Sequence, residues 1–199
     1  MSASHGLEYR ETIDATVANA TAILLLTLQD LLAGGFLNPL EKADPSNLKM
    51  VAAQLQKMRD HPERYSGFFR DGKLVAYMKQ NDWTIHDELP FAKWYDVLDL
   101  MLVKLLRMDP YTGMWGVFGL VASDELNEID RRFVLTTLLE SSFGKRSSGK
   151  ERIDNIILHK NDPLIAIVPD YGFIPFGRSA EAAGAKGLKQ RRYIRIIRN

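Results

Sequence analysis

The segment "GLVASDELNEIDRRF", residues 119–133, is the part of the sequence that most constrains the fold. Its apolar first half is typical of a buried strand and stops at Ser123. A helical pattern begins near Asn127 and is expected to end at Gly144. The sequence therefore predicts a strand, a turn and a helix in immediate succession. The helix residues predicted to face the core include Ile129, Phe133, Leu138 and Leu139.

The turn between this strand and this helix is a candidate anion site. The first turn of a helix presents backbone N–H groups and the positive end of the helix dipole. This turn has no glycine and carries carboxylates at Asp124, Glu125, Glu128 and Asp130. Such side chains already satisfy the dipole, by about 0.3–1 kcal/mol each, and repel a phosphate group. The turn is therefore either an altered phosphate site or a self-capped helix start.

Outward from this segment, the pattern predicts a mixture of helices and strands. Two amphipathic helices are expected, one over residues 14–32 and one after residues 44–47. Asp71-Gly72 separates two apolar runs and predicts a tight hairpin, because a type I′ turn needs positive φ at both central residues. A strand over 152–160, a short helix with Asn161 or Asp162 as its N-cap, and a C-terminal strand follow.

This order, with the segments "DGKLVAYM", "GVFGLVA", "IILHKND" and "YGF", resembles the Gcn5-related N-acetyltransferase (GNAT) superfamily. The resemblance covers about Tyr9 to Ile197 and implies a single domain over residues 1–199. The implied fold is α/β (α+β), with a mixed, mainly antiparallel central sheet flanked by helices. An extra helix is expected between the third and fourth strands, over the strongly apolar segment from Phe91 to Met108.

The resemblance implies an N-acetyltransferase that moves acetyl from acetyl-CoA to a small-molecule or peptide amine by direct attack. In that family, acetyl-CoA inserts beside the end of the fourth strand, and its pyrophosphate lies on the next helix N-terminus. Carried onto this chain, the expected cofactor contacts are the backbone of Val121 and Ala122, with Arg131, Arg132 and Asn161.

The chain departs from the family pattern at two functional positions. The glycine-containing phosphate signature would fall on Leu126, Ile129 and Arg131, so it is absent. Val168 stands where many members carry a tyrosine acid. No catalytic residue can therefore be carried over. His159, at the end of an apolar strand, and Tyr171 are the remaining candidates. In both positions such side chains are more often structural: a hydrogen-bonded histidine at a strand end and a tyrosine packed beside a turn.

The same departures support a second hypothesis, in which the GNAT fold is kept as a binding or regulatory module without cofactor. The apolar helix predicted over residues 91–108 would then fill the cleft or form a homodimer interface.

Composition excludes several other functions. The formal charge of +1 gives no general attraction to nucleic acid or membrane, although a basic stretch lies near the C-terminus and reads as a strand with solvent-facing cations. The chain has no cysteine, and its four histidines are scattered, so we expect no metal site. "GKRSSGKE" (144–151) lacks the hydroxyl that a nucleotide-binding loop needs after Lys150. The apolar stretch over 21–36 is too short to span a bilayer, and we expect a cytoplasmic protein.

Overall fold

The computed structural model describes residues 6–84, 114–144, 152–159, 161–181 and 189–197. The helix predicted over 91–108 and the loop at Lys150 lie outside these ranges. Within them, no helix combines the length and apolar character needed to cross a bilayer.

In the described residues, seven strands form one sheet in the order β1-β2-β3-β4-β5-β7-β6. Among these seven strands only the β4–β5 pair is parallel, so the described sheet is mixed and mainly antiparallel, as predicted. The strands are β1 (Leu7–Arg10), β2 (Tyr65–Arg70), β3 (Lys73–Thr84), β4 (Met114–Ala122), β5 (Arg152–His159), β6 (Ile174–Glu181) and β7 (Lys189–Ile197).

The predicted hairpin joins β2 to β3. Asp71 has φ 51° and Gly72 has φ 74°, the positive values that a type I′ turn requires. The right-handed twist of the paired strands favours this turn, which explains why two local residues were enough to predict it.

Three α-helices in the described part of the chain cover the sheet: α1 (Val17–Ala33), α2 (Leu48–Asp60) and α3 (Glu128–Gly144). Side-chain oxygens of Thr16 and Asn47 cap the first two by accepting backbone N–H groups. α1 and α2 pack with Tyr77 and Val121 on one face of the sheet, and α3 packs with Met78 and Leu120 on the other.

The orientation predicted for α3 was partly wrong. Ile129 is 82% exposed and Phe133 is 47% exposed, whereas Leu138 and Leu139 are buried as expected. The buried face also includes Val134 and Leu135. Ile129 and Phe133 lie outside that buried face of the helix. The spacing of apolar residues along α3 is compatible with either orientation of the helix.

Both edge strands were missed from the sequence. β1 is four residues long, and β6 begins with "IPFG", which contains a proline and a glycine. An edge strand has one unpaired side, so it tolerates proline and needs no continuous apolar run. The C-terminal strand was placed correctly, but it lies between β5 and β6, so its cations do not protect a sheet edge.

The short helix predicted after Asn161 is two 3-10 helices, Pro163–Ala166 and Val168–Tyr171. Asp162 is the N-cap of the first, since its Oδ1 accepts the N–H of Leu164 at 2.9 Å. Pro169 cannot donate a backbone hydrogen bond, so a continuous α-helix is interrupted there.

Candidate functional site

The parallel strands β4 and β5 separate before they end. Their pairing runs from Met114↔Arg152 to Phe118↔Ile156. Past that point β4 continues along β3 as far as Ala76↔Ala122, and β5 continues along β7 as far as His159↔Gln190. Within the described residues, the last part of each strand therefore has an edge without a strand partner. A cleft opens there between residues 119–122 and 157–159.

A pocket of about 90 Å³ lies at this separation. It is built from β4, the C-terminal half of α1, the first turns of α3 and the chain that follows β5. Five of the seven residues that sequence analysis singled out line it: Val121, Ala122, Arg131, His159 and Asn161. The other polar lining residues are Gln29, Asp30, Asp124 and Asp162.

Arg132 and Tyr171 lie elsewhere. The Arg132 guanidinium is 60% exposed and lies 3.6 Å from the carboxylate of Asp170. The Tyr171 hydroxyl donates to Glu140 at 2.8 Å on α3. Neither side chain lines the pocket. In a helix, consecutive side chains point about 100° apart, so two neighbouring arginines cannot both face the same cleft.

The first turn of α3 uses many of its own N–H groups. Asn127 Oδ1 accepts the N–H of Asp130 at 2.8 Å, and the N–H of Arg131 donates to the carbonyl of Asn127. The N–H groups of Glu125 and Leu126 both donate to Ser123, one to its Oγ and one to its carbonyl. This arrangement matches the second of the two alternatives that the sequence left open, a self-capped helix start, with Asn127 as the capping side chain.

Two of the four carboxylates in this turn are paired with arginines. Arg131 Nη2 lies 3.2 Å from Asp124 Oδ1 and also donates to the carbonyl of Ser123. Arg70, at the end of β2, donates to Asp130. The turn is therefore less negative than its sequence suggests. Arg70 was missed because it lies 60 residues from Asp130 in the chain, and no local pattern connects them.

At the α1 side of the pocket, His159 lies between two aspartates. Its imidazole is 5% exposed, and its Nε2 lies 3.5 Å from Asp30 Oδ1 and 4.0 Å from Asp162 Oδ2. The other ring nitrogen, Nδ1, accepts the backbone N–H of Asn161 at 3.3 Å. Asp30 and Asp162 were not named as site residues, because one belongs to a distant helix and the other had a sufficient role as a helix cap.

Burial raises the pKa of Asp162 from 3.8 to about 6, because the carboxylate loses hydration next to apolar neighbours. The pKa of His159 is also raised, chiefly by its interaction with Asp30, while burial acts in the opposite direction. Asp162 and His159 therefore both bind a proton more tightly in the folded chain than in the unfolded chain.

These shifts predict that stability falls as the pH rises. A raised folded-state pKa favours folding below the unfolded-state value, and that contribution is lost as pH passes the folded-state pKa. The stabilisation due to Asp162 is lost between about pH 3.8 and pH 6, and the stabilisation due to His159 is lost above pH 6.5. The other charged groups facing them are Asp30 on α1 and the Arg131–Asp124 pair.

We expect the free energy of unfolding to be about 1–3 kcal/mol lower at about pH 8 than at about pH 5. Asp162→Asn should reduce this difference, because asparagine keeps the N-cap hydrogen bond but does not titrate. Urea denaturation at the two pH values measures the effect. An Asp162→Asn profile as steep as that of the unsubstituted chain would contradict the assignment.

The comparisons with known proteins agree with this architecture. No model of a known protein family matches the sequence, and neither does any curated protein. Solved structures do match over nearly the whole chain, and they include acetyltransferases of the GNAT family. The chain has the GNAT fold. It is a divergent example, since the turn before α3 lacks the usual glycines.

Three of these structures show the range of the fold. The Salmonella typhimurium protein yncA, solved with its cofactor acetyl-CoA, is 12% identical with a TM-score of 0.60, over 96% of this chain and 93% of its own. An agmatine N-acetyltransferase is also 12% identical with a TM-score of 0.60, over 96% and 100%. A ribosomal-protein-alanine N-acetyltransferase from Brucella melitensis is 14% identical with a TM-score of 0.57, over 96% and 99%.

Proposed function

We propose that this chain is an acetyl-CoA-dependent N-acetyltransferase that acts on a primary amine by direct attack of the amine on the thioester. The observation that supports the proposal is the separation of β4 from β5, with Val121, Ala122, Arg131 and Asn161 around the resulting pocket. Unpaired strand backbone in such a cleft can hydrogen-bond an extended amide-containing chain. Acetyl-CoA would supply the activated acetyl group.

The residues present fit the two ends of such a molecule unequally. The cleft beside Val121 and Ala122 offers backbone groups for the pantetheine arm, and Asn161 lies across from them. The turn before α3 offers few free N–H groups to a pyrophosphate, because several of its backbone N–H groups already donate hydrogen bonds within the turn. Arg131 is the cation in this pocket that could take over the contact, by leaving Asp124 for a phosphate.

The alternative is a GNAT-fold binding or regulatory module that does not bind the cofactor. The specific observation in its favour is the Asn127 cap together with the Arg70–Asp130 ion pair, which stabilise the turn without an anion. Oligomeric state does not separate the two proposals, since either protein could form a homodimer.

Calorimetric titration with acetyl-CoA separates them. We expect the purified protein to bind acetyl-CoA and Arg131→Glu to weaken binding by at least about tenfold, the loss expected for one charge-assisted phosphate contact. Arg132→Glu makes the same charge change at an exposed position facing Asp170 and should alter the Kd by less than about twofold. Absence of binding at millimolar acetyl-CoA would favour the module. Equal losses in the two variants would show a general charge effect instead of an Arg131 contact.

A further inference from the structure

The cluster formed by Asp30, His159 and Asp162, here called the acidic cluster, carries a more specific inference. Its members come from α1, the end of β5 and the cap of a 3-10 helix, so three separate elements converge on one point. One polar atom from each lies within 4.8 Å of the others. His159 Nε2 is buried and has no hydrogen-bond partner within the part of the chain that the structure describes.

The tautomer of His159 follows from its other nitrogen. Because Nδ1 accepts the N–H of Asn161, the proton of the neutral imidazole must reside on Nε2. The carboxylate oxygen nearer to Nε2 is Asp30 Oδ1, at 3.5 Å. Asp162 Oδ2 at 4.0 Å is beyond hydrogen-bond distance, and its other oxygen is used by Leu164 N–H. Asp162 Oδ2 is therefore the acceptor that the cluster presents to a ligand.

The carboxylates that line the pocket favour the binding of a cation. Arg131 is engaged with Asp124, which leaves two carboxylates, Asp30 and Asp162, against a single imidazole. The Asp162 side chain is 9% exposed and that of Asp30 is 36% exposed. Holding two carboxylates this close, one of them buried, is costly unless a positive charge is bound between them. The available cations are a proton, a metal ion and an organic ammonium group.

The hydrogen bonding of His159 favours an ammonium group over a metal ion. A metal bound at Nε2 needs the lone pair of that nitrogen, which would move the ring proton to Nδ1, directly against the N–H of Asn161. An ammonium group needs only carboxylate acceptors. Two acceptors at hydrogen-bond distance from one tetrahedral nitrogen lie about 4.6 Å apart, which is compatible with the spread of the cluster.

The surroundings of the cluster also suit an elongated amine. Gln29 lines this pocket and also a groove of about 530 Å³ between α1 and the β2–β3 hairpin. Its Oε1 is buried without a hydrogen-bond partner among the described residues, so a further N–H donor could bind there. The apolar lining residues of the groove are Ala18, Ala22, Leu25, Leu26, Leu74 and Val75.

We infer that the acidic cluster binds the ammonium group of the acceptor, and that Asp162 takes its proton. The inference rests on the proposed acetyltransferase function. The substrate class is a primary amine carried on an apolar chain, without a carboxylate near the amine. The proton step balances, since R–NH3⁺ and the Asp162 carboxylate give R–NH2 and the neutral Asp162 carboxyl. Asp30, whose Oδ1 lies 3.5 Å from His159 Nε2, contributes the second negative charge.

The first test measures amine binding without acetyl-CoA. The probe is butylammonium, followed through the imidazole ¹H–¹⁵N signals of His159, which are assigned by their loss in His159→Gln. We expect a saturable shift, and binding at least about tenfold weaker for γ-aminobutyrate, in which a carboxylate replaces the methyl end. Asp30→Asn and Asp162→Asn should each weaken butylammonium binding by about tenfold. Asp170→Asn, an exposed aspartate outside the pocket, should leave it unchanged.

Three results would overturn the inference: no saturable shift with butylammonium, equal binding of γ-aminobutyrate, or a zinc-induced shift of Nε2 that Asp30→Asn abolishes. The last would assign the cluster to a metal ion. The same spectra report the tautomer, and a protonated Nδ1 in the neutral ring would contradict the geometry above.

The second test measures turnover with acetyl-CoA and butylamine. Asp162→Asn should lower kcat by about 100-fold, within the range for a lost general base, with an unchanged Kd for acetyl-CoA. Asp30→Asn should chiefly raise the KM for the amine. If the unsubstituted protein binds butylammonium but not acetyl-CoA, the proposed function fails and the amine site stands. If it binds acetyl-CoA but Asp162→Asn keeps full kcat, the proposed function stands and the role of Asp162 fails.

Discussion

Replacing Arg195 by methionine should lower the free energy of unfolding by about 3–5 kcal/mol, the loss typical of breaking a buried ion pair. Arg195 on β7 lies directly across from Asp154 on β5, and its Nη2 donates to Asp154 Oδ2 at 2.9 Å. Asp154 is 1% exposed. Methionine keeps most of the apolar stem but leaves the buried carboxylate without this cation.

The exposed pair of Arg132 and Asp170 provides the matched control. Arg132→Met makes the same chemical change where the two side chains are 60% and 67% exposed. Exposed pairs contribute little, so the loss should be under about 1 kcal/mol. Urea denaturation of both variants measures the difference. Similar losses in the two would mean that the Asp154–Arg195 pair contributes no more than an exposed pair.

Gly67→Ala should destabilise the protein by about 2–3 kcal/mol, the upper part of the range for overpacking a core. A Cβ at Gly67 on β2 would lie 2.7 Å from the carbonyl oxygen of Ala76 and 2.7 Å from Leu74 Cδ1. It would also lie 2.9 Å from Ile13 Cδ1. The carbonyl belongs to the neighbouring strand, so relief would require the β2–β3 ladder to shift.

Gly119→Ala is the control for this substitution. Gly119 is also a strand glycine, on β4, but a Cβ there would have no neighbour within 4 Å among the described residues. The stability of the Gly119→Ala variant should be equal to or slightly above that of the unsubstituted protein, because alanine restricts the conformations of the unfolded chain. Comparing the thermal unfolding midpoints of Gly67→Ala and Gly119→Ala tests whether the clash at Gly67 causes the loss of stability. A destabilised Gly119→Ala would mean that loss of a strand glycine is itself costly here.

Much of the fold could be predicted because its elements carry local signals. The Asp71-Gly72 turn, the capped starts of α1 and α2, and the change from strand to helix after Ser123 each depend on residues close together in the chain. The two edge strands lacked such a signal, since pairing on one side makes few demands on sequence. The orientation of α3 also needed the sheet, which selects the buried face.

The candidate site was predictable in position more than in chemistry. The end of β4, Arg131, His159 and Asn161 follow from the order of elements, and they line one pocket. Two ion pairs set the charge of the site, and neither could be predicted from the order of elements: Arg70 with Asp130 and Arg131 with Asp124. From the sequence, four carboxylates near one helix start are expected to repel a phosphate. In the folded chain two of these carboxylates, Asp130 and Asp124, are paired with arginines.

The local pattern of apolar residues, caps and turns was thus sufficient for the inner strands and the three described helices, because those preferences act over a few residues. The electrostatic character of the cleft depends on contacts between distant segments. Asp30 lies 129 residues before His159 in the sequence, but packing of α1 on the sheet brings Asp30 Oδ1 within 3.5 Å of His159 Nε2. Coulomb and hydrogen-bond energies depend on distance in space, so the acidic cluster exists only once the chain has folded.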